Sequence, residues 1–266
     1  MNIVLINSKG GVGKSTISMQ IASTYIFQTT GKKVNHFEFD DENQDNISFK
    51  KSSIINTYSQ KVDKTNLRET LTDILMDYTN VVIDVGANKT TVNILDALLK
   101  SGMIFKVDIF IVPIMDGESD ANSAIKIYQK IKDMDENATI VFALNRLHTN
   151  KDVNSQFDIF LGDDRSIFNE KGIIESIPQK DRHIIKLEDS DVIKYSKNFG
   201  LTIWELALTN RDIGIEIKDA LNKETNKELI KTLSFKKGIK DDCLNYLKTN
   251  LHPTFLEIDK IISNES

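Results

Sequence analysis

The chain has 266 residues and carries 34 lysines and arginines against 39 aspartates and glutamates, a formal net charge of −5. Its apolar content of 40% excludes an intrinsically disordered protein. The acidic balance argues against a protein that coats nucleic acid by bulk charge, without excluding a local basic patch. The single cysteine, Cys243, excludes an intramolecular disulfide and a multi-cysteine metal site, so we expect a reduced intracellular protein.

The first apolar run, residues 3–6, is too short for a signal-peptide core, and no small-residue cleavage site follows it. No stretch approaches the roughly 20 apolar residues that a membrane helix needs. We therefore expect a cytoplasmic protein with no stable membrane association.

Short apolar runs alternate with longer segments of helical periodicity. The runs are rich in β-branched residues, which is typical of strands buried on both faces of a parallel sheet. Between them, apolar residues recur every three or four positions, as at Leu67, Leu71 and Ile74. This alternation predicts an α/β three-layer sandwich with a mostly parallel sheet. The predicted strands cover residues 3–6, 34–39, 81–85, 109–114 and 140–144.

A glycine-rich segment directly follows the first predicted strand. Gly13, Lys14 and Ser15 match the end of the P-loop pattern, while Ser8 stands at the position of its first glycine. Glycines let successive backbone N–H groups turn toward phosphate oxygens, and the start of the next helix adds partial positive charge. We expect Lys14 to contact the β- and γ-phosphates, Ser15 to ligate Mg²⁺ and Thr16 to contact the α-phosphate. The predicted nucleotide-binding residues here are Gly10, Gly11, Val12, Gly13, Lys14, Ser15 and Thr16.

A dinucleotide-binding fingerprint is the nearest alternative for this segment. Gly11 and Gly13 fit its first two glycines, but Thr16 stands where its third glycine belongs. Glu38 and Asp40 could imitate the acid that binds a ribose in that fingerprint. A plain glycine-rich turn with a surface lysine is the other alternative.

The residues from Lys9 to Ser15, Lys-Gly-Gly-Val-Gly-Lys-Ser, resemble the deviant Walker A motif of the ParA/MinD family of ATPases. In that family a second lysine, matched here by Lys9, crosses a dimer interface and touches the partner's nucleotide. The resemblance implies a P-loop NTPase fold, a slow ATPase that uses ATP and Mg²⁺, and a homodimer in the ATP state. The resemblance also implies that Lys9 and Lys14 are catalytic residues.

Carboxylates follow two of the predicted strands. The carboxyl ends of strands lie beside the phosphate loop in this fold, where an acid can hold Mg²⁺ through water. Asp84 ends the third run as a Walker B aspartate does. Asp40 is predicted to orient the attacking water and bind Mg²⁺, with Glu38 supporting the metal and residues 41–42 forming a solvated turn. The family pattern Asp-x-Asp-Pro-Gln is only partly kept, because Glu38 replaces its first aspartate and the proline is absent. The predicted metal residues are Ser15, Asp40 and Asp84.

Residues later in the chain resemble the base-binding part of the family. Asn145 matches an asparagine that reads adenine, and His148 stands where a GTPase would have its guanine-binding aspartate, which favours ATP. Arg146 and Pro178 complete the predicted nucleotide-binding set, Pro178 because its stretch borders the adenine in the family. Asp120 resembles a dimer-facing acid of MinD-like members. The alternative for Asn145 is an ordinary turn asparagine.

The strand signal fades after residue 208, and the chain becomes helical and rich in Lys, Glu and Asn. We expect a P-loop ATPase domain over 1–208 and a helical extension over 209–266 packed on the same domain. Its predicted helices cover 213–233, 241–251 and, after Pro253, 255–262. Its lysines are candidates for DNA contacts, with a solvated helix face as the alternative. These candidates are Lys227, Lys231, Lys236, Lys237 and Lys240.

The sequence favours a molecular switch in plasmid or chromosome partition. Its ATP dimer would bind DNA non-specifically, and a small adaptor protein would stimulate hydrolysis. The alternative is a conjugation-associated or MinD-like positioning ATPase that acts through a protein partner or a membrane. The acidic face of the tail, 254–265, argues against an anchor on anionic lipid. A metal-cluster carrier would need a Cys-x-x-Cys pair, which the sequence lacks, and a metabolic synthetase is the remaining alternative.

Overall fold

The structure is a computed structural model, and it describes residues 1–39, 49–63, 65–163, 170–209, 212–222 and 227–264. Its strands are β1 (Asn2–Leu5), β2 (Val34–Phe39), β3 (Ile55–Gln60), β4 (Val81–Val85), β5 (Ile109–Ile114), β6 (Ile140–Leu147), β7 (Gly162–Asp163), β8 (Glu170–Lys171) and β9 (His183–Glu188). Seven of them form one sheet in the order β3-β2-β4-β1-β5-β6-β9, in which every neighbouring pair is parallel. β7 and β8 form a separate antiparallel pair.

The helices connect and flank these strands. The α-helices are α1 (Lys14–Ile17), α2 (Thr24–Thr30), α3 (Leu67–Asp77), α4 (Lys89–Ser101), α5 (Glu118–Met134), α6 (Val153–Gln156), α7 (Asp158–Leu161), α8 (Asp191–Phe199), α9 (Ile203–Ala207), α10 (Ile213–Asn222), α11 (Lys227–Tyr246) and α12 (His252–Asn264). π-helical segments join α1 to α2 (Ser18–Ser23) and α11 to α12 (Leu247–Leu251), and short 3₁₀ turns cover Met103–Lys106, Ile173–Ser176 and Gln179–Asp181. None of the helices in the described part of the chain has the length and apolar character needed to cross a membrane.

The sheet separates two apolar cores. Because side chains alternate along a strand, Val4 and Ile6 enter the core beneath α3, α4 and α5, while Ile3 and Leu5 enter the core beneath α1, α2 and the carboxyl-terminal helices. All four side chains are fully buried. This arrangement confirms the predicted α/β three-layer sandwich, and each of the five predicted strands is present.

The sequence pattern did not indicate the two edge strands. β3 reads Ile-Asn-Thr-Tyr-Ser-Gln and β9 reads His-Ile-Ile-Lys-Leu-Glu, so neither is a continuous apolar run. An edge strand has a neighbour on one side only and is partly open to solvent, which permits polar residues that a central strand excludes.

The carboxyl-terminal helices differ from their prediction. Instead of one helix over 213–233, α10 ends at Asn222 and α11 begins at Lys227. Every residue from Lys227 to Asn264 is helical, so Pro253 does not separate two helices. A proline ring clashes with the carbonyl four residues earlier in a regular α-helix, and the π-helical segment immediately before α12 changes that register. The Thr254 hydroxyl donates to the carbonyl of Asn250 (2.9 Å).

The extension shares a core with the sheet. Tyr246, Phe255 and Ile258 belong to the same apolar cluster as Ile3 and Leu5. Polar bonds fasten the same surfaces, since the Tyr25 hydroxyl of α2 donates to Asp259 Oδ1 (2.7 Å) and the Tyr246 hydroxyl donates to the Glu188 carbonyl of β9 (2.6 Å). These contacts pack α11 and α12 against the sheet and α2.

We predict that Ile258→Ala lowers the free energy of unfolding by about 2–5 kcal/mol, because the side chain is fully buried between the extension and the sheet. Leu256 lies on the same helix but is 48% exposed, so Leu256→Ala is the matched control and should change stability by no more than about 0.5 kcal/mol. Urea unfolding of both variants, followed by circular dichroism, checks this. Equal effects, or a separate early transition for the extension in wild type, would show that the extension does not share the core.

Candidate functional site

A loop of glycines connects β1 to α1 at the carboxyl end of β1. Gly11 and Gly13 have positive φ angles of 77° and 89°, a region in which side-chain-bearing residues are strained. Gly13 is also required by space, because a Cβ at that position would lie 1.9 Å from Asn145 Nδ2. That amide donates to the carbonyl of Val12 (2.9 Å). The Asn145 side chain therefore holds the loop by a hydrogen bond to the loop's backbone, a role that the sequence did not indicate.

A second buried asparagine, Asn7, holds the start of the loop. Its side-chain amide donates to the carbonyl of Pro113 in β5 (2.7 Å). Its Oδ1 accepts from the Lys9 backbone N–H (3.0 Å) and from the Ser123 hydroxyl of α5 (2.7 Å). The side chain is fully buried, so each of these bonds is difficult to replace by water. The sequence carries a weak signal for this role, a polar residue directly after a buried strand.

Lys14 lies inside the loop and is only 9% exposed. Its Nζ donates to the carbonyl of Lys9 (3.0 Å), so the ammonium group is bent back over the loop that precedes it. Burying a charge is costly unless it has polar partners. The backbone of Gly13, the start of α1 and this ammonium together form a concentration of positive charge that suits a phosphate group.

Lys9 has a different environment from Lys14. Its side chain is 44% exposed, its Nζ donates to Ser119 Oγ (3.1 Å), and it lies 3.8 Å from Asp120 Oδ1. Ser119 and Asp120 belong to the first turn of α5, where acidic residues are favoured by the helix dipole. The structure thus brings together Lys9 and Asp120, the two residues that the family resemblance places at a dimer interface.

Two buried carboxylates lie beside the loop. Glu38 of β2 and Asp84 of β4 are register partners in the sheet, and each is 3% exposed. The Ser18 hydroxyl, one turn after Ser15, lies 3.2 Å from Asp84 Oδ2. Asp40 and the turn at 41–42 lie outside the described residues.

The donors near Asp84 suit Mg²⁺. They are hydroxyl and carboxylate oxygens, the ligands that this ion prefers, and Mg²⁺ commonly takes only one or two protein carboxylates together with substrate phosphates and water. Within the described ranges, no group of three or more His, Cys, Asp or Glu side chains could hold a metal ion by itself. The residues present therefore fit an ion that arrives with a nucleotide.

A cleft of about 580 Å³ opens next to Thr16. Asn145 and Arg146, two of the predicted nucleotide-binding residues, line it. Arg146 takes a left-handed backbone conformation (φ 57°) at the bulge near the end of the β6 pairing with β9. The cleft is also lined by residues that the sequence did not indicate, because they follow the unrecognised strand β9. These are Asp189, Ser190, Asp191, Ile193, Lys194 and Lys197.

The structure places Pro178 away from the other predicted nucleotide-binding residues. Pro178 precedes β9, next to a 3₁₀ turn whose Asp181 accepts hydrogen bonds from Tyr128 (2.8 Å) and Lys132 (3.1 Å) near the carboxyl end of α5. This is the amino edge of the parallel sheet, whereas the glycine loop lies at its carboxyl edge. The segment that follows β9, rather than Pro178, lies at the carboxyl edge and lines the cleft next to Thr16.

A family model described as an AAA domain, AAA_31, matches residues 1–142, which is more than half of the chain. The chain belongs to the AAA_31 family. Together with the sheet order and the glycine loop, this confirms the predicted relationship to P-loop ATPases of the ParA/MinD type. A comparison with the curated proteins gives no match.

Solved structures share the fold at low sequence identity. Apo McdA from Cyanothece is 13% identical, with a TM-score of 0.53 over 79% of this chain and 94% of that chain. The MinD cell division protein of Aquifex aeolicus is 19% identical, with a TM-score of 0.49 over 76% of this chain and 87% of that chain. A plasmid partition protein from Borrelia burgdorferi is 17% identical, with a TM-score of 0.45 over 75% of this chain and 96% of that chain. At 13% identity, the McdA similarity concerns the fold.

We predict a large energetic coupling between Gly13 and Asn145. Gly13→Ala should be strongly destabilising in the wild-type chain, because its Cβ would overlap the Asn145 amide, but in a chain that already carries Asn145→Ala it should cost only the backbone strain of about 1–2 kcal/mol. Gly11→Ala is the matched control, because φ is also positive there but nothing lies within 4 Å of the added Cβ. Urea unfolding of the double-mutant cycle measures the coupling. Additive effects of the two changes would contradict the close approach.

Proposed function

We propose that this protein is an ATP-driven dimerisation switch of the ParA/MinD type that acts in DNA partition. The observation that carries the proposal is the pair of lysines on one glycine loop. Lys14 is buried within the loop, and Lys9 is half exposed on its outer side, against the start of α5. One lysine is placed to bind a phosphate in its own subunit, and the other can leave its surface position to reach a second subunit.

In this proposal, the loop and α1 bind the β- and γ-phosphates through backbone N–H groups and Lys14. Mg²⁺, when bound with ATP, neutralises phosphate charge in the transition state. The Ser15 hydroxyl and Asp84 orient that ion, and the adenine occupies the cleft between Thr16 and the segment after β9. Asn145 keeps the loop in its binding conformation through the Val12 carbonyl. The water-orienting residue proposed from the sequence is Asp40.

In this proposal, Lys9 makes dimerisation depend on bound ATP. Its contacts with Ser119 and Asp120 are partly exposed, so water and salt weaken them and the side chain can exchange partners at low cost. ATP in a second subunit would offer Lys9 a doubly charged phosphate group. Hydrolysis would remove that phosphate group and let the two subunits separate. The rate of hydrolysis would therefore set the lifetime of the dimer.

We predict that the two lysine substitutions separate binding from dimerisation. Lys14→Ala should abolish ATP binding, because it removes the buried ammonium that faces the phosphates. Lys9→Ala should bind ATP with nearly unchanged affinity but should remain monomeric with ATP and Mg²⁺. Fluorescence titration gives the affinity, and light scattering after size exclusion gives the mass.

Lys130→Ala is the matched control for Lys9→Ala. Lys130 is also a partly exposed lysine in an ion pair, 3.7 Å from Asp96, but it lies away from the loop. This variant should bind ATP and dimerise as wild type does. ATP-driven dimerisation of Lys9→Ala would show that Lys9 does not act across a subunit interface, and tight ATP binding by Lys14→Ala would refute the nucleotide site.

DNA binding is the finer part of the proposal, and the lysines of α11 are its candidates. Lys237 and Lys231 have acidic partners on the same helix, Asp241 at 2.6 Å and Glu228 at 3.0 Å. The bond to Asp241 raises the pKa of Lys237. Lys240 donates to the carbonyl of Thr209 (2.9 Å). The two carboxylates offset positive charge on α11 and favour a second candidate function, a positioning ATPase that acts through a protein partner.

A measurement of DNA binding distinguishes the DNA-partition function from the protein-partner function. If DNA is the partner, the ATP form should bind non-specific duplex DNA at low salt, and Lys236→Glu with Lys237→Glu should reduce binding at least about tenfold through lost phosphate contacts. Lys248→Glu with Lys260→Glu is the matched control, with the same charge change farther along the continuous helix. Binding is measured by fluorescence anisotropy with ATP, with ADP and without nucleotide. No binding in any nucleotide state would exclude the DNA function and leave the protein-partner function.

A further inference from the structure

Three buried polar side chains form a line beneath the loop. They are His36 in β2, Ser18 in the π-helical segment after α1, and Asp84 at the end of β4. His36 Nε2 lies 3.0 Å from Ser18 Oγ, and Ser18 Oγ lies 3.2 Å from Asp84 Oδ2. His36 and Ser18 are fully buried. At such depth a polar group left unpaired costs about 1–3 kcal/mol, so these bonds determine how the three side chains are oriented.

The direction of the hydrogen bonds follows from burial. Burial holds the pKa of His36 at about 3, so its ring is neutral and carries one N–H. Nδ1 has no hydrogen-bond partner among the residues that the structure describes, so a hydrogen there would leave a buried donor unpaired. Satisfying the network places the hydrogen on Nε2, from which it is donated to Ser18 Oγ. The Ser18 hydroxyl is then left to donate to Asp84 Oδ2 or to the carbonyl of Ser15 at 3.0 Å.

Core packing alone does not call for a histidine in this strand. The sheet partner of His36 in β4 is Val82, and Val34 precedes it on the same face of β2, both fully buried and apolar. An aliphatic side chain would fill the position without introducing a buried polar ring. The imidazole instead supplies one directed N–H to Ser18, a serine that also contacts Asp84.

We propose that His36 is a positioning residue, which acts through Ser18 to orient the Asp84 carboxylate for the Mg²⁺ that accompanies ATP. The inference rests on the proposed function, because Asp84 is a metal-shell residue only if the site binds Mg²⁺ and ATP. Groups that orient a metal-binding carboxylate typically change metal affinity 10–100-fold when removed. Ser18 also contacts the carbonyl of Ser15, so the same line joins two of the three predicted metal residues, Ser15 and Asp84.

The test uses amide side chains of two lengths at one position. In His36→Gln, the amide nitrogen can reach the place of imidazole Nε2, whereas in His36→Asn it reaches only the place of Nδ1. Ser18→Ala removes the middle of the line with a smaller change in volume. For the full-length wild type and each variant, binding of a fluorescent N-methylanthraniloyl derivative of ATP is titrated at a series of Mg²⁺ concentrations and in EDTA. Thermal unfolding without nucleotide reports stability.

We expect the variants to change the Mg²⁺ dependence of binding and to leave Mg²⁺-free binding unchanged. His36→Asn and Ser18→Ala should raise the Mg²⁺ concentration for half-maximal enhancement of binding by about tenfold or more, with unchanged binding in EDTA, and His36→Gln should restore most of the wild-type response. A wild-type Mg²⁺ response in His36→Asn and Ser18→Ala would overturn the proposal, as would a loss of EDTA binding in proportion to lost thermal stability. If wild type itself binds no ATP derivative, or binds it without any Mg²⁺ response, the proposed function fails and the positioning role fails with it.

Discussion

The attachment of the glycine loop by two buried asparagine side chains is the interaction on which the site depends. Glycines give the loop its conformation, but they also leave it free to adopt many others. Asn7 fixes its beginning against β5 and α5, and Asn145 fixes its end through the Val12 carbonyl. Preorganised N–H donors bind a phosphate group with little reorganisation, so these two amides turn a flexible segment into a binding surface.

The sheet places chemically different groups at the same edge. All seven strands are parallel, so their carboxyl ends converge on one side. Glu38 and Asp84 are neighbours there because β2 and β4 pair in register. Beneath them, His36 and Ser18 continue a polar line into the buried interior. Such a line is stable only when its members pair with one another, which is why it can transmit a fixed orientation to the buried Asp84 carboxylate beside the loop.

The carboxyl-terminal helices pack against the sheet and against the helix that follows the glycine loop. Tyr25, in the helix that follows the loop, is bonded to Asp259, and the Glu188 carbonyl at the end of β9 is bonded to Tyr246. The cleft next to Thr16 lies just beyond β9, so the long helix supports the strand that positions one wall of that cleft. The lysines of α11 lie at the other end of this helix, where acidic neighbours balance much of their charge.

The sequence by itself determined the parts of the protein that local chemistry dictates. Five strands follow from continuous apolar runs, the phosphate loop from glycine spacing, and the family from the residues between Lys9 and Ser15. α3 follows from the apolar periodicity at Leu67, Leu71 and Ile74, as predicted. Each of these signals is contained within about 15 consecutive residues, which is why it could be read without tertiary structure.

Only the tertiary structure decided the features that join distant residues. The edge strands β3 and β9 lack an apolar signature, and without β9 the sequence placed Pro178 at the nucleotide and missed residues 189–191. The structural roles of Asn7 and Asn145 depend on partners more than 100 residues away. The continuity of the last helix through Pro253 depends on a π-helical segment stabilised by packing. A sequence pattern reports the local preference of each segment, whereas these features arise from contacts that exist only after the segments have met.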